Sequence, residues 1–199
     1  GTMLIEKYDR GLMAGALSML IPDFIYPVFN AKIMYLDDFP APIRKGIDER
    51  LFEEYKRDIP TFFRDVWWPQ MLKAANRNGV RYTAVLIESY NDDVDGPFEN
   101  PIDADVNGLI KYGREIIKNK GEIGLHGYNH QSLDTDPHKS EAYGYKPWKD
   151  AASMSDSIRE AARFMKSAFP NYDLVTYVPP SNMISDLGIQ ALKDALPGL

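Results

Sequence analysis

Four short apolar runs, each followed by a stretch with helical periodicity, most limit the folds open to this chain. The runs lie at 31–36, 81–89, 122–126 and 174–178, and we expect the first to be a buried strand. A strand followed by a helix, repeated along the chain, is typical of a parallel sheet with helices packed outside it. The sequence therefore predicts an α/β fold. This order alone leaves both a closed barrel and an open doubly wound sheet as alternatives.

The helices between the runs have recognisable ends. Pro69 predicts a kink in the second helix, Gly79 ends that helix, and Ser185 caps the last one. The clearest helical pattern runs from Ile158 to Phe169, where apolar residues recur three and four positions apart. The predicted helices are 48–58, 62–78, 105–120, the one that reaches Phe169, and 185–192.

Charge and composition exclude several classes of function. The chain has 199 residues, enough for one domain with a substantial core. Its net charge of -6 and its pI near 5.1 argue against a nucleic-acid partner. Because the chain has no cysteine, disulfides and thiolate metal sites are excluded. Any metal must therefore bind to histidine, carboxylate or carbonyl groups.

Residues 1–30 are set apart from the alternating pattern. The stretch 12–29 is rich in apolar residues, but Pro22, Asp23 and Pro27 interrupt it, so we predict no membrane span. Acidic residues before this stretch also argue against a signal peptide. We expect a buried helix and a loop that lead into a domain over 31–199, within a longer protein.

Polar residues gather where the predicted strands end. The carboxyl ends of parallel strands meet at one rim, and ligands bind there in barrels and in open sheets. The sequence therefore predicts a functional site at this rim. The residues that fall there are Asp37, Asp38, Glu88, Ser89, His126, His130, Ser181 and Asn182.

The histidines and the aspartates at this rim suit a divalent metal. Two imidazoles and one carboxylate hold a zinc-like ion and leave one position open. Such an ion lowers the pKa of water and polarises a carbonyl group. A second carboxylate beside the first then serves as general base. The alternatives are that His126 and His130 are structural and that Asp37-Asp38 is a solvated turn before Pro40.

The polar loop at 90–103 partly matches a second kind of metal site. Asn91, Asp93 and Asp95 have the spacing of a calcium loop. Ile102 stands where that loop needs a bidentate glutamate, so the pattern favours a solvated turn.

Two motifs of this chain resemble the polysaccharide deacetylases of carbohydrate esterase family 4. Tyr35-Leu36-Asp37-Asp38 is similar to the family's Thr-Phe-Asp-Asp, and His126-Gly127-Tyr128-Asn129-His130 to its His-(Ser/Thr)-x-x-His. The resemblance covers about 31–182. It implies a distorted (β/α) barrel, complete or incomplete in this chain.

The resemblance also assigns roles to the residues of the two motifs. It implies that Asp37 is the catalytic base and that Asp38, His126 and His130 bind a divalent ion, most often zinc. It implies an acetylated glycan as substrate and a cell-envelope or extracellular location.

The chain departs from the family in two later motifs. Tyr177-Val178-Pro179-Pro180 stands where the family has Arg-x-Pro-(Tyr/Phe), so the arginine that orients the base is absent. Pro180 has no N–H to bind an oxyanion, which leaves Ser181 or Asn182 as donor. No counterpart of the family's acid histidine follows, and we expect His138 to be a surface residue.

We therefore predict a metal-dependent hydrolase that removes acetyl groups from an N- or O-acetylated glycan. The alternatives are a metallohydrolase of another substrate class and a glycan-binding or scaffold domain without turnover. We predict a long loop over 131–148 after the histidines, and its residues Tyr143, Tyr145 and Trp148 are candidates for stacking on a sugar. Ordinary packing of a long loop explains these aromatic residues equally well.

Overall fold

The computed structural model describes residues 7–21 and 33–199 and has a three-stranded parallel sheet in the second range. The strands are β1 (Met34–Asp37), β2 (Tyr82–Leu86) and β3 (Glu122–Leu125), in the order β1-β2-β3. The register sets Asp37 opposite Val85. The predicted parallel α/β arrangement is confirmed, and the ends of all three strands reach one edge.

The fourth predicted strand, 174–178, is reduced to one parallel bridge between Leu125 and Tyr177. The Leu125 N–H donates to the Thr176 carbonyl, and the Val178 N–H donates back to the Leu125 carbonyl, each at 2.9 Å. Proline has no N–H, so the Pro179-Pro180 pair that follows cannot continue the ladder. Among the described residues the sheet thus has three strands with this bridge beside β3, and a second isolated parallel bridge pairs Leu133 with Ile184.

The first strand is much more exposed than its apolar sequence suggests. Ile33, Met34 and Tyr35 are 67%, 44% and 47% exposed, and Leu36 is the buried residue of β1. Among the described residues β1 pairs with β2 alone and so has an open edge. The expectation of a buried first strand is therefore wrong.

Residues 1–32 and 33–199 form two separate units. In the first unit, α1 (Lys7–Leu20) exposes its apolar residues, with Leu12 at 72% and Met19 at 88%. The expectation of a buried helix is wrong for α1, and the loop expected up to residue 29 lies outside the described residues. No helix in 7–21 or 33–199 has the length and apolar character of a membrane span.

Most helices of the second unit begin where aspartate or serine side chains accept backbone hydrogen bonds. The helices are α2 (Glu49–Tyr55), α3 (Ile59–Phe62), α4 (Trp68–Asn78), α5 (Val106–Lys118), α6 (Pro137–Ala142), α7 (Ala151–Ala168) and α8 (Asp186–Ala195). Side-chain caps are present at six of these seven helices of 33–199, all except α4, as is typical of helix starts. The capping residues are Asp48, Asp58, Asp105, Asp136, Asp150 and Ser185.

Two helical details refine the sequence prediction. A π-helical turn, Phe63–Trp67, joins α3 to α4 just before Pro69, where the kink was expected. The helix α6 lies inside 131–148, which the sequence predicted to be a loop throughout. Asp136 caps α6 and Pro137 occupies its first turn, so both helix-start signals were present in the sequence.

The core lies between the sheet and two helices. The apolar face of α5 contributes Leu109 and Ile116, and α7 contributes Ile158 and Phe164, each at most 2% exposed. On β2, Ala84 to Leu86 are fully buried, as expected for a central parallel strand. This packing fixes the strand ends that carry the polar rim.

A close approach at Gly124 brings the 174–178 segment onto β3. A Cβ atom at this position would lie 2.8 Å from the Thr176 carbonyl oxygen. We expect Gly124→Ala to destabilise the fold by about 1–3 kcal/mol, because the backbone of the neighbouring segment must move. Chemical denaturation measures the loss. Gly198→Ala, where nothing lies within 4 Å, is the control; equal stability of the two variants would contradict the prediction.

Candidate metal centre

Asp38 projects from the turn that follows β1. Its φ of 54° is in the left-handed region, and Phe39 after it is 2% exposed. The Phe39 ring packs against Trp67, Trp68 and Tyr112 with centroids 5.1–5.2 Å apart. The aromatic cluster thus anchors the chain directly beside the aspartate and limits where its carboxylate lies.

His126 is placed by one backbone and one side-chain hydrogen bond. Its N–H donates to the Leu86 carbonyl at 2.8 Å, which extends the pairing of β2 and β3 by one step. Its ring Nδ1 lies 2.7 Å from the Val178 carbonyl oxygen. Because a carbonyl only accepts, Nδ1 carries the proton and Nε2 has the free lone pair. Burial lowers the pKa of His126, which favours the neutral form that binds metals.

His130 reaches the same point from the end of a tight turn. Its φ is 58°, and its ring centroid lies 5.0 Å from that of His126. Its Nε2 lies 3.8 Å from Asp38 Oδ1. The turn is held at its middle, because the N–H groups of Glu88 and Ser89 both donate to the Tyr128 carbonyl, at 2.8 and 3.0 Å. The end of β2 therefore positions the second histidine.

The polar loop at 90–103 supports this turn instead of forming a site of its own. The Asn129 amide donates to Asn91 Oδ1 at 2.9 Å and to the Asp93 carbonyl at 2.6 Å. Asp93 Oδ1 also accepts from the Asp95 N–H at 3.1 Å, as in an Asx-turn. The turn interpretation therefore accounts for the partial calcium pattern.

Three ligand atoms converge between these elements. One each from Asp38, His126 and His130 lie within 4.8 Å of one another. Asp38 Oδ1 is buried and has no hydrogen-bond partner among the described residues. A buried carboxylate oxygen without a partner is costly. Burial raises the pKa of Asp38, with His130 and His126 opposing. A divalent cation would satisfy this oxygen, so the three residues fit a divalent metal ion.

Asp37 lies beside this cluster as an exposed residue at the end of β1. Its charge acts on both Asp38 and His126, where it opposes loss of a proton. Asp37 is not one of the three converging ligands. The structure thus separates the two adjacent aspartates, one turned into the cluster and one facing solvent.

The segment after Val178 brings Ser181 and Asn182 to the surface. Both have positive φ, 50° and 56°. The Asn182 N–H already donates to the Pro179 carbonyl at 2.9 Å, so it is not free for an oxyanion. Ser181 is exposed, and its Oγ lies 2.5 Å from the Tyr145 hydroxyl. Of the two candidate donors, the geometry favours Ser181.

The three aromatic residues after the histidines have different environments. Trp148 is 2% exposed, and its Nε1–H donates to the Ser132 carbonyl at 2.9 Å. Its ring offers no free face to a sugar, which favours the packing alternative. Tyr143 is 58% exposed, and Tyr145 is 8% exposed with its ring edge toward His130, centroids 5.8 Å apart. His138 is an exposed residue of α6, as expected.

Sequence reasoning missed two features of the rim. Arg44 lies 4.3 Å above the ring of Tyr90 and opposes the rise of the Asp38 pKa. No local pattern indicates this contact, because the two residues follow different strands. Glu88 was placed at the rim, but its complete burial was not foreseen. The available signal for this burial was the position of Glu88 directly after the apolar run 84–87.

Comparisons with known proteins give one family and several distant structures. No curated protein matches the chain. A crystal structure of a CE4 family pseudoenzyme from Bacillus anthracis is 16% identical, with a TM-score of 0.42, covering 63% of this chain and 34% of that chain. A mutant of that pseudoenzyme with restored enzymatic activity is also 16% identical, with a TM-score of 0.43, covering 64% of this chain and 36% of that chain.

A third structure comes from a different source. The Xyl-CE4 domain of a multidomain xylanase from the hindgut metagenome of Trinervitermes trinervoides is 14% identical, with a TM-score of 0.43, covering 80% of this chain and 52% of that chain. The chain thus spans between a third and about half of the length of these proteins.

A family model matches the whole chain, residues 1–199, under the description "Uncharacterised protein conserved in bacteria". The chain therefore belongs to the bacterial family DUF2194.

Proposed function

We propose that this chain is a metal-dependent deacetylase domain that removes acetyl groups from an N- or O-acetylated glycan. The convergence of Asp38, His126 and His130 within 4.8 Å carries the proposal. The two motifs that resemble polysaccharide deacetylases support it. We further propose that the three strands belong to a distorted (β/α) barrel and that the protein acts at the cell envelope.

The residues around the cluster suit hydrolysis of an acetyl group. A divalent ion, zinc in this proposal, supplies an activated water and a polarised carbonyl when bound. In this proposal the exposed Asp37 takes a proton from the attacking water as general base. Val178 holds the His126 ring through Nδ1, so the ring does not have to reorganise during the reaction.

Two alternatives differ from this proposal in measurable ways. A metallohydrolase of another substrate class would act on a different amide, an ester or a phosphoester. A binding or scaffold domain would bind glycan without turnover. This alternative is favoured by Tyr177, which stands where the related motif has the arginine that orients the base. Protein purified without chelator is analysed for metal and then assayed for acetate release from acetylated glycans, for hydrolysis of other amides, esters and phosphoesters, and for glycan binding, which separates the three. Metal without release from any substrate would overturn the proposal.

The two adjacent aspartates are expected to respond differently to the same substitution. Asp38→Asn removes an anionic ligand, and we expect at least about 10- to 100-fold weaker metal binding. Asp37→Asn removes only the base, and we expect full metal content with turnover reduced about 100- to 10,000-fold. Metal analysis and acetate release are measured on both variants. Equal metal loss in the two variants would contradict the assignment.

The leaving group is expected to control the rate strongly. The departing nitrogen of an amide needs a proton, whereas an activated ester leaves as a weak base. We expect faster cleavage of 4-nitrophenyl acetate than of N-acetylglucosamine oligomers at matched metal content. Steady-state kcat/KM on both substrates checks this. A faster reaction with the oligomers would mean that proton delivery does not limit the chain.

A further inference from the structure

Tyr145 and Ser181 join two segments beside the metal ligands. The Tyr145 hydroxyl lies 2.5 Å from Ser181 Oγ, and its ring meets the His130 ring edge-on. Tyr145 is 8% exposed, whereas Ser181 is exposed at the surface. A buried phenol therefore lies against the hydroxyl of a serine that is exposed at the surface.

The turn that carries Ser181 has an unusual backbone. Ser181 and Asn182 both lie in the left-handed region, where residues other than glycine are uncommon. The Met183 N–H donates to the Pro180 carbonyl at 3.0 Å, and Pro180 itself is buried. Backbone outliers of this kind persist where the surroundings hold them and are often found at functional sites. The turn thus fixes the direction in which Ser181 is presented.

The chemistry of the pair sets the direction of its hydrogen bond. A phenol is a stronger acid than an alkyl hydroxyl, so the Tyr145 O–H donates to Ser181 Oγ. The Ser181 proton is then free to be donated to another atom. On the exposed side of the turn, that atom belongs to a ligand.

The reaction proposed above needs such a proton. Cleavage of an acetamide requires proton delivery to the departing nitrogen. The chain has three histidines. His126 and His130 belong to the metal cluster, and His138 is exposed on α6. The histidines therefore leave the role of acid unfilled at this rim.

We propose that Tyr145 and Ser181 form a proton-donating pair for the leaving group, an inference that rests on the proposed deacetylase function. As the C–N or C–O bond of the tetrahedral intermediate breaks, its electron pair moves to the departing atom. That atom takes the Ser181 hydroxyl proton, and Ser181 takes the Tyr145 proton. Tyr145 is left as a phenolate. It recovers a proton through solvent from Asp37, which took one from the attacking water, so protons and electrons balance.

The test compares Tyr145→Phe and Ser181→Ala on two leaving groups. With N-acetylglucosamine oligomers we expect kcat to fall about 100-fold or more, the usual size of an acid contribution. With 4-nitrophenyl acetate we expect less than about a twofold change, because this leaving group needs no proton. The double variant should be no worse than either single variant, since both serve one proton path. Metal content and melting temperature are measured in parallel.

Tyr82→Phe is the matched control. Tyr82 is also a buried tyrosine, and its hydroxyl donates to the Met71 carbonyl at 2.8 Å, away from the ligand set. The Tyr82→Phe variant should be less stable, but the ratio of its activities on the oligomers and on 4-nitrophenyl acetate should equal that of the wild type. Equal losses on both substrates in Tyr145→Phe, or no loss on the oligomer, would overturn the donor role alone. If the metal-loaded wild type cleaves neither substrate, the deacetylase function fails, and the donor role fails with it.

Discussion

Removal of either imidazole, by His126→Ala or by His130→Ala, is expected to abolish metal binding at the site. Loss of one of three protein ligands lowers the affinity more than loss of a supporting contact, which itself costs about 10- to 100-fold. At micromolar zinc, the variants should contain almost no metal after gel filtration. Both variants should also lose acetyl hydrolysis, because the remaining two ligands do not hold the ion.

Thermal unfolding gives a second measurement that does not depend on activity. A ligand at 100 times its dissociation constant stabilises the folded state by about 2.7 kcal/mol. Added zinc should therefore raise the melting temperature of the wild type and leave that of the two variants unchanged. His138→Ala is the control, since His138 is exposed on α6 and should respond as the wild type does. Full metal content in either ligand variant would show that the site is wrongly assigned.

Glu88→Gln is expected to change how stability depends on pH. Glu88 is completely buried, and neither carboxylate oxygen has a hydrogen-bond partner among the described residues. Burial, followed by the nearby charge of Glu160, raises the pKa of Glu88 from 4.5 to about 8, while Arg163 opposes the rise. The folded state therefore keeps a proton on Glu88 that the unfolded chain has already lost.

The sign of the effect follows from this difference in bound protons. Between pH 4.5 and about 8 the folded state binds more protons at Glu88, so this residue lowers stability as pH rises. The slope is about 1.4 kcal/mol per pH unit, and as much as about 5 kcal/mol over the whole range. Glu88→Gln removes the titration, so the wild type should lose stability relative to the variant up to pH 8.

Denaturant unfolding across this pH range measures the difference. Other titrating groups affect both proteins alike, so the difference between the two curves isolates Glu88. Glu53→Gln, at an exposed position of α2, is the control and should leave the slope unchanged. Parallel curves for the wild type and Glu88→Gln would mean that the buried carboxylate is ionised in the folded protein or is reached by water.

The sequence determined the parts of the fold that depend on local signals. Ser185 caps the last helix as predicted, and Asp48 and Asp105 cap helices at the first residues of the predicted ranges, because a cap needs only its own first turn. The parallel order of the strands followed from the strand–helix alternation. Local signals failed for the 174–178 segment, because a strand also needs a partner, and the prolines after it remove the donors.

The sequence also predicted that the candidate metal ligands lie close together. Asp38, His126 and His130 follow the ends of two predicted strands, and parallel strands end on one side of a sheet. The prediction that they share a site needed no knowledge of packing. The zinc preference and the glycan substrate depend on the motif resemblance and stay predictions.

Only the tertiary structure decided what surrounds these ligands. The Val178 carbonyl that sets the proton on His126 is 52 residues away in the chain, and Ser181 is 36 residues from Tyr145. No periodicity or spacing encodes such pairs, since they depend on how the 174–185 segment packs against β3. For the same reason, the sequence could not show that Trp148 is in the core while Tyr145 faces the ligands. Burial is a property of the packed chain, so the contact between Tyr145 and Ser181, on which the proposed proton donor rests, could be seen only in the folded structure.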